Sequence, residues 1–159
     1  MENRKVLISI LNYNGSQDTI SCVKSFYEYE DEKEYSIVIW DNCSVPEQQE
    51  ELKTGILELG MKTKICTDKE YPEAKLKDYD IILSFSKKNL GFAKGNNQVI
   101  REQIDKFDYI ILLNNDTFFE ENTTKKLIDY LHNHHSTGIV TSSIYYYYHK
   151  NSIWNAGGK

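Results

Sequence analysis

Residues 109–119 read YIILLNNDTFF. An apolar run of strand character passes straight into Asn114, Asn115 and Asp116 with no polar residue to prepare the turn. Two readings are open here. Asn and Asp tolerate left-handed backbone and bond their own main chain, so the triplet serves as a turn. Alternatively the strand's end is a site, and the Asp116 carboxylate waits there for a cation. The rest of the chain has to decide.

Upstream, residues 81–85 (IILSF) form another short strand, followed by SKKNLGFAKGNN and a helix to about Gln103. Residues 6–11 (VLISIL) are continuously apolar, the mark of a strand covered on both faces. After NYNGS, Ser16 is the expected cap of a helix with Asp18 in its first turn and an inward stripe of Ile20, Val23, Phe26 and Tyr27. A charged stretch at 28–34 leads to a strand at 35–40 that ends in DNCS. There Ser44 and Glu47 have capping-box spacing, Pro46 falls in the first helical turn, and the helix should fade at Gly60. Downstream, Leu127, Ile128 and Leu131 mark a further helix, and a fifth strand is expected to start near Gly138. Residues 61–80 read as a short strand at 64–66 followed by a polar, lysine-rich surface insertion. Tyr145–Tyr148 alternate faces if extended, which suits an edge or barely covered strand.

Strand and helix in repeated alternation predict one α/β domain: a mostly parallel, Rossmann-like sheet with right-handed crossovers and helices on both faces. In such sheets ligands bind outside the carboxyl ends of the strands. Four polar clusters fall on that edge: Asn12-Tyr13-Asn14, Asp41-Asn42, Asn89-Leu90-Gly91 and Asn114-Asn115-Asp116. Each alone is ordinary turn chemistry. Four on one edge make a site.

The bulk properties narrow what the site takes. A chain of 159 residues, 40% hydrophobic and 27% charged, has the make-up of one globular domain. Its net charge of −5 argues against a nucleic-acid binder. Cys22, Cys43 and Cys66 are odd in number and lack metal-ligand spacing, so they read as free thiols in a reducing compartment. No apolar run is long enough to span a bilayer and no signal peptide is evident, so a cytoplasmic location is expected, with peripheral membrane association left open. The phosphate loops GxxxxGK and GxGxxG are absent. A receiver domain would want acids after the first strand, where this chain has Asn12 and Asn14. What remains is a nucleotide pocket in which Mg²⁺ or Mn²⁺, bound through one or two carboxylates, neutralises a diphosphate.

VLISILNYNG, IVIWDNCS, NLGFAKGNN and YIILLNNDTFF, in this order and at this spacing, resemble the nucleotide-sugar-binding half of family 2 glycosyltransferases with the GT-A fold. The closing WNAGGK resembles the start of the acceptor-side segment in the bacterial rhamnosyltransferase-like branch. The resemblance implies an inverting, metal-dependent transfer of sugar from a UDP- or dTDP-linked donor to a glycan or lipid-linked acceptor, in polysaccharide or glycoconjugate synthesis. It implies that Asn12, Tyr13, Asn14 and Asp41 hold base and ribose. It also implies that Asn89, Gly91, Asn96 and Asn115 line the pocket, and that Asp116 is the metal ligand for Mn²⁺ or Mg²⁺. Lys94 either is solvated or faces phosphate.

The chain departs from the family pattern in two places. The first acid of its D-x-D motif is Asn114, leaving one sure carboxylate. The family's general base lies on a later acidic segment, so no catalytic base is assigned here and the sequence reads as a truncated donor-binding portion. Glu120 and Glu121 are expected to start a helix, and HNHH at 132–135 to be its solvated end. The aromatic stretch at 139–154 predicts a homo-oligomer. A non-catalytic nucleotide- or nucleotide-sugar-binding module is the alternative reading; a nucleotidyltransferase fits less well, since the basic, glycine-rich loop it needs is missing.

Overall fold

The computed structural model describes residues 5–30 and 35–156. The acidic stretch 31–34 and the last residues of WNAGGK, 157–159, lie outside the described residues. In chain order the elements are β1 (Val6–Asn12), α1 (Ser16–Tyr29), β2 (Tyr35–Asp41), α2 (Pro46–Glu58), β3 (Thr63–Thr67), β4 (Ile81–Phe85), α3 (Phe92–Gln103), β5 (Tyr109–Asn114), α4 (Thr123–Asn133), β6 (Ile144–Tyr146) and β7 (His149–Asn155). The first five strands form one wholly parallel sheet in the order β3-β4-β2-β1-β5. The expected α/β architecture is present, with helices on both faces.

The sheet has two faces because strand side chains alternate. Val6, Ile8 and Ile10 point one way, with Ile37, Ile39, Ile81 and Leu83 beside them. Onto this face α1 brings Val23 and Phe26, α2 brings Leu52 and Ile56, and α4 brings Ile128. On the other face Leu7, Val38, Trp40 and Ile82 lie under Val99 of α3. Burying each such side chain contributes about 1.5–3 kcal/mol, so the continuous apolar runs are what hold the sheet between its layers.

Several local expectations are corrected. Ser16 is not the cap of α1: Gly15 occupies that position without a side-chain bond. The Ser16 N–H and hydroxyl instead donate to Gln48 Oε1 at 3.2 and 2.8 Å, and the hydroxyl also meets the Glu51 carboxylate. The start of α1 is thus satisfied across space by α2. The Ser44–Glu47 capping box does not form either. Val45 caps α2, Pro46 opens it, and the Ser44 hydroxyl is spent on Asp41. Glu120 and Glu121 precede α4 rather than start it; the cap is Asn122, whose side chain accepts from the Lys125 N–H at 3.3 Å.

Residues 61–80 are not merely a solvated insertion. After β3 come two 3₁₀ turns, Tyr71–Glu73 and Leu76–Asp78, which bury Tyr71 and Leu76. The Tyr71 ring meets Trp40 edge-on at 5.7 Å and its hydroxyl accepts from Gln103 Nε2 at 3.2 Å, so the segment closes the α3 face. The strand expected to start near Gly138 is not there. Instead β6 and β7 pair antiparallel in a separate two-stranded sheet, with Tyr147 and Tyr148 at its turn and β7 exposed throughout.

Candidate functional site

At the carboxyl ends of β1 and β5 lies a cleft of about 310 Å³. It is lined by Leu11, Tyr13, Asn42, Asn89, Gly91, Phe92, Asn96, Leu112, Leu113, Asn114 and Asn115. This is where the strand order reverses, β2 lying on one side of β1 and β5 on the other. The loop after β4 is held in place by two amides. Asn42 Nδ2 donates to Asn89 Oδ1 at 2.8 Å, Asn42 Oδ1 accepts from the Leu90 N–H at 2.9 Å, and the Gly91 N–H donates to Asn89 Oδ1 at 2.8 Å. Gly91 takes a φ of +74°, a left-handed conformation that suits glycine, and from there α3 begins with no side-chain cap. At the mouth Tyr13 and Phe92 are 54% and 63% exposed, two aromatic rings with faces to offer. No His, Asp, Glu, Lys or Arg is among the lining residues.

Of the residues singled out in the sequence, Tyr13, Asn89, Gly91, Asn96 and Asn115 line the cleft. Asn12, Asn14, Asp41 and Lys94 do not. Asn12 and Asp41 follow Ile10 and Ile39 in the alternation and so project to the α1 and α2 side of the sheet. Asp41 is fully buried, and its two oxygens accept from Asn12 Nδ2 at 2.8 Å, the Ser44 N–H at 3.0 Å, Ser44 Oγ at 2.5 Å and Gln49 Nε2 at 2.9 Å. Asn14, at a φ of +52°, binds the next loop, its Oδ1 accepting from the Val45 N–H at 2.9 Å. Lys94 is exposed in the first turn of α3. Asn42 enters the sequence reading only as part of the cluster after the second strand, and Phe92 only as part of the stretch from Asn89 to Asn96; neither is given a role of its own there, and both line the cleft. The signal for Asn42 was present: one residue past Asp41, it turns to the opposite face.

Asp116 is exposed at the end of β5, directly after the lining residues Asn114 and Asn115. Behind it the chain turns back through Thr117, whose hydroxyl donates to the Asn114 carbonyl at 2.7 Å. Beneath that turn lies the buried thiol of Cys22, pushed up to about 11 chiefly by burial, so it carries no thiolate at neutral pH and is no nucleophile. Among the described residues no group of three or more His, Cys, Asp or Glu gathers that would cage a metal. One exposed carboxylate fits Mg²⁺ or Mn²⁺, which bind through one or two carboxylates and take their remaining ligands from phosphate and water.

A model of glycosyl transferase family 2 matches residues 7–158. The chain belongs to that family. Its fold is the GT-A fold of the mannosyltransferase PcManGT from Pyrobaculum calidifontis, solved in complex with GDP-Man and Mn2+, with a TM-score of 0.64 and 13% identity over 90% of this chain and 36% of that one. S. aureus TarS 1-349, solved in complex with UDP-GlcNAc, matches with a TM-score of 0.57 and 16% identity over 87% of this chain and 38% of that one. This family 2 chain thus spans well under half the length of either glycosyltransferase structure. No curated protein sequence matches it.

Proposed function

We propose that this family 2 chain binds a UDP- or dTDP-linked sugar together with Mn²⁺ or Mg²⁺, for inverting transfer of the sugar to a hydroxyl of a glycan or lipid-linked acceptor in polysaccharide or glycoconjugate synthesis. The observation that carries the reading is the cleft itself. It joins two exposed aromatic rings, a lining of amides, the uncapped start of α3 and, at its rim, the carboxylate of Asp116. Tyr13 and Phe92 offer faces for a base to stack on. The first N–H groups of α3, which no side chain caps, would receive an anion as unsatisfied helix donors do, and Lys94 adds a positive charge in the same turn. Asp116, which follows Asn114 and Asn115 in the chain, would hold the divalent ion through its carboxylate. When bound, that ion neutralises the diphosphate as leaving group. The ligands in the two similar structures, GDP-Man with Mn2+ and UDP-GlcNAc, support this class of donor.

Thermal-shift and calorimetric titration with uridine, UDP, dTDP and their sugars, with and without Mn²⁺, tests the reading. Metal-enhanced binding of a nucleoside diphosphate is expected; a melting temperature flat across all of them would overturn it. The second reading, a binding module without transferase activity, is favoured by one observation: no acid or histidine lines the cleft. Self-association and contact with a membrane surface belong to the same proposal. They are motivated by the exposed rings of Tyr145, Tyr146, Tyr147, Tyr148 and Trp154. Light scattering and vesicle co-sedimentation check them. No helix among the described residues is long and apolar enough to cross a membrane.

A further inference from the structure

Asn12 stands between two loops and the Asn-Asn-Asp motif. Its Nδ2 donates to Asp41 Oδ2 at 2.8 Å and to Ser44 Oγ at 3.3 Å. Its Oδ1 accepts from Thr19 Oγ1 at 2.9 Å, the Gly15 N–H at 3.2 Å and Asn115 Nδ2 at 3.4 Å. Only the nitrogen end of an amide can face a carboxylate, so Asp41 dictates which way Asn12 points. The other oxygen of Asp41 is itself bonded, accepting from the Ser44 N–H at 3.0 Å and from Gln49 Nε2 at 2.9 Å.

The oxygen of Asn12, turned the other way, then selects the orientation of Asn115. Asn115 Nδ2 also donates to Thr19 Oγ1 at 3.1 Å and to the Gly15 carbonyl at 3.4 Å. Its nitrogen is committed to this side, and among the described residues none donates to the Asn115 side-chain oxygen, which leaves that oxygen as the acceptor Asn115 can offer to the cleft it lines. The approach is tight enough to need a glycine: a Cβ at Gly15 would stand 2.7 Å from Asn115 Nδ2.

We propose that Asp41 is a positioning residue: through Asn12 it fixes the amide of Asn115, the central residue of the motif at the cleft's rim, without touching the ligand. The proposal rests on the reading of the cleft as a nucleotide site. It separates Asp41, the charge nearest the second strand's end, from the recognition of base or ribose. A buried carboxylate with four donors has no lone pair to spare for a ligand.

A donor–acceptor swap tests it. In Asp41→Asn two amide nitrogens confront each other, Asn12 turns over, and its nitrogen faces the nitrogen of Asn115. Adding Asn12→Asp reverses both partners at once and restores the pattern, with the carboxylate now at position 12. Two quantities are read: UDP affinity in Mn²⁺ by calorimetry, and hydrogen exchange of the Asn115 side-chain amide by NMR. Expected for D41N is a loss of about tenfold or more in affinity, the size of a buried bond left unmade, with a deprotected Asn115 amide. The double variant should recover both. A loss of global stability alone lowers the melting temperature and leaves Asn115 protected in the folded state.

Wild-type affinity and protection in D41N would overturn the proposal. So would a double variant as weak as D41N, because the carboxylate at 41 would then be touching the ligand. If D41N does not fold, the double variant decides alone, by binding and protecting as wild type or failing to. If the wild type binds no UDP, the nucleotide reading falls, while Asn115 protection lost in D41N and regained in the swap still upholds the positioning role and its absence overturns it.

Discussion

Gly95 of α3 rests directly on Leu11, the last side chain that β1 turns toward the cleft: a Cβ at Gly95 would stand 2.6 Å from Leu11 Cδ1 and 3.6 Å from Asn42 Oδ1. The helix therefore sits close enough for its first turn and Asn96 to form the cleft wall. Gly95→Ala meets the far end of a leucine, which yields by turning into the cleft. Alanine's advantage in a helix, about 0.5–1 kcal/mol, offsets much of the crowding. Urea unfolding should show a stability change under about 1 kcal/mol, while calorimetry shows weaker nucleotide binding. Unchanged affinity would mean that Leu11 does not shape the ligand site.

Asp116 and the aromatic rings serve different parts of the ligand. Asp116→Asn should remove the increment in UDP binding that Mn²⁺ supplies and leave uridine binding nearly intact. In the wild type the stabilisation at a hundredfold ligand excess should reach about 2.7 kcal/mol. An equal loss for uridine and UDP in D116N would place the carboxylate on the nucleoside instead.

Tyr13→Ala and Phe92→Ala should each weaken uridine and UDP alike, by about 1–3 kcal/mol if the ring stacks on the base. Both side chains are more than half exposed, so melting temperatures without ligand should hardly move. A variant that binds uridine as the wild type does would exclude its ring from the base site.

The sheet was legible because its signal is local and repeated. Runs such as VLISIL and YIILL are apolar on both faces, and the polar residues that end them fall on one edge. What the sequence hid depends on contacts across space. The partners of Ser16 are Gln48 and Glu51, more than thirty positions away, which no capping rule weighs. Tyr71 and Leu76 looked solvated among lysines, yet they close over Trp40. No strand starts near Gly138, where one was expected; the strands come later, as the separate hairpin of β6 and β7. At the site, charge misled where alternation would have served. Asp41 drew notice as a carboxylate, although the period of two sends it behind the sheet and delivers Asn42 to the cleft.

Alkaline pH should expose the burial of Cys22. Its thiol is raised from an ordinary 9.0 to about 11, chiefly by burial, so the folded state holds the proton more tightly than the unfolded chain. The stability this contributes is complete below pH 9 and is lost as pH climbs toward 11, about 2–3 kcal/mol in all. Burial pushes Cys66 and Tyr71 upward too, so Cys22→Ala should flatten only part of the alkaline slope. Urea unfolding of both proteins at stepped pH measures the difference. Identical slopes would show that Cys22 is not sealed in.

The cleft's lining carries the last expectation. Inverting transfer needs a base within hydrogen-bond reach of the acceptor hydroxyl, and such a group contributes about 10²–10⁴-fold. The residues that line the cleft supply amides, two aromatic rings and aliphatic side chains, none of which takes a proton at neutral pH. Asp116 stands at the rim, but the proposed ion would occupy its lone pairs. Glu120 and Glu121, the next acids along the chain, are held by Lys150 and Lys126. The 159-residue chain should therefore bind a nucleoside diphosphate sugar yet release labelled sugar to an acceptor no faster than background. Binding by calorimetry and transfer from a radiolabelled donor, measured on the same sample, give the two numbers. Turnover well above background would require a base among these residues. Glu120→Gln and Glu121→Gln would then be the first variants to make, since those carboxylates lie nearest the motif in sequence and their lysine partners are exposed enough to let go.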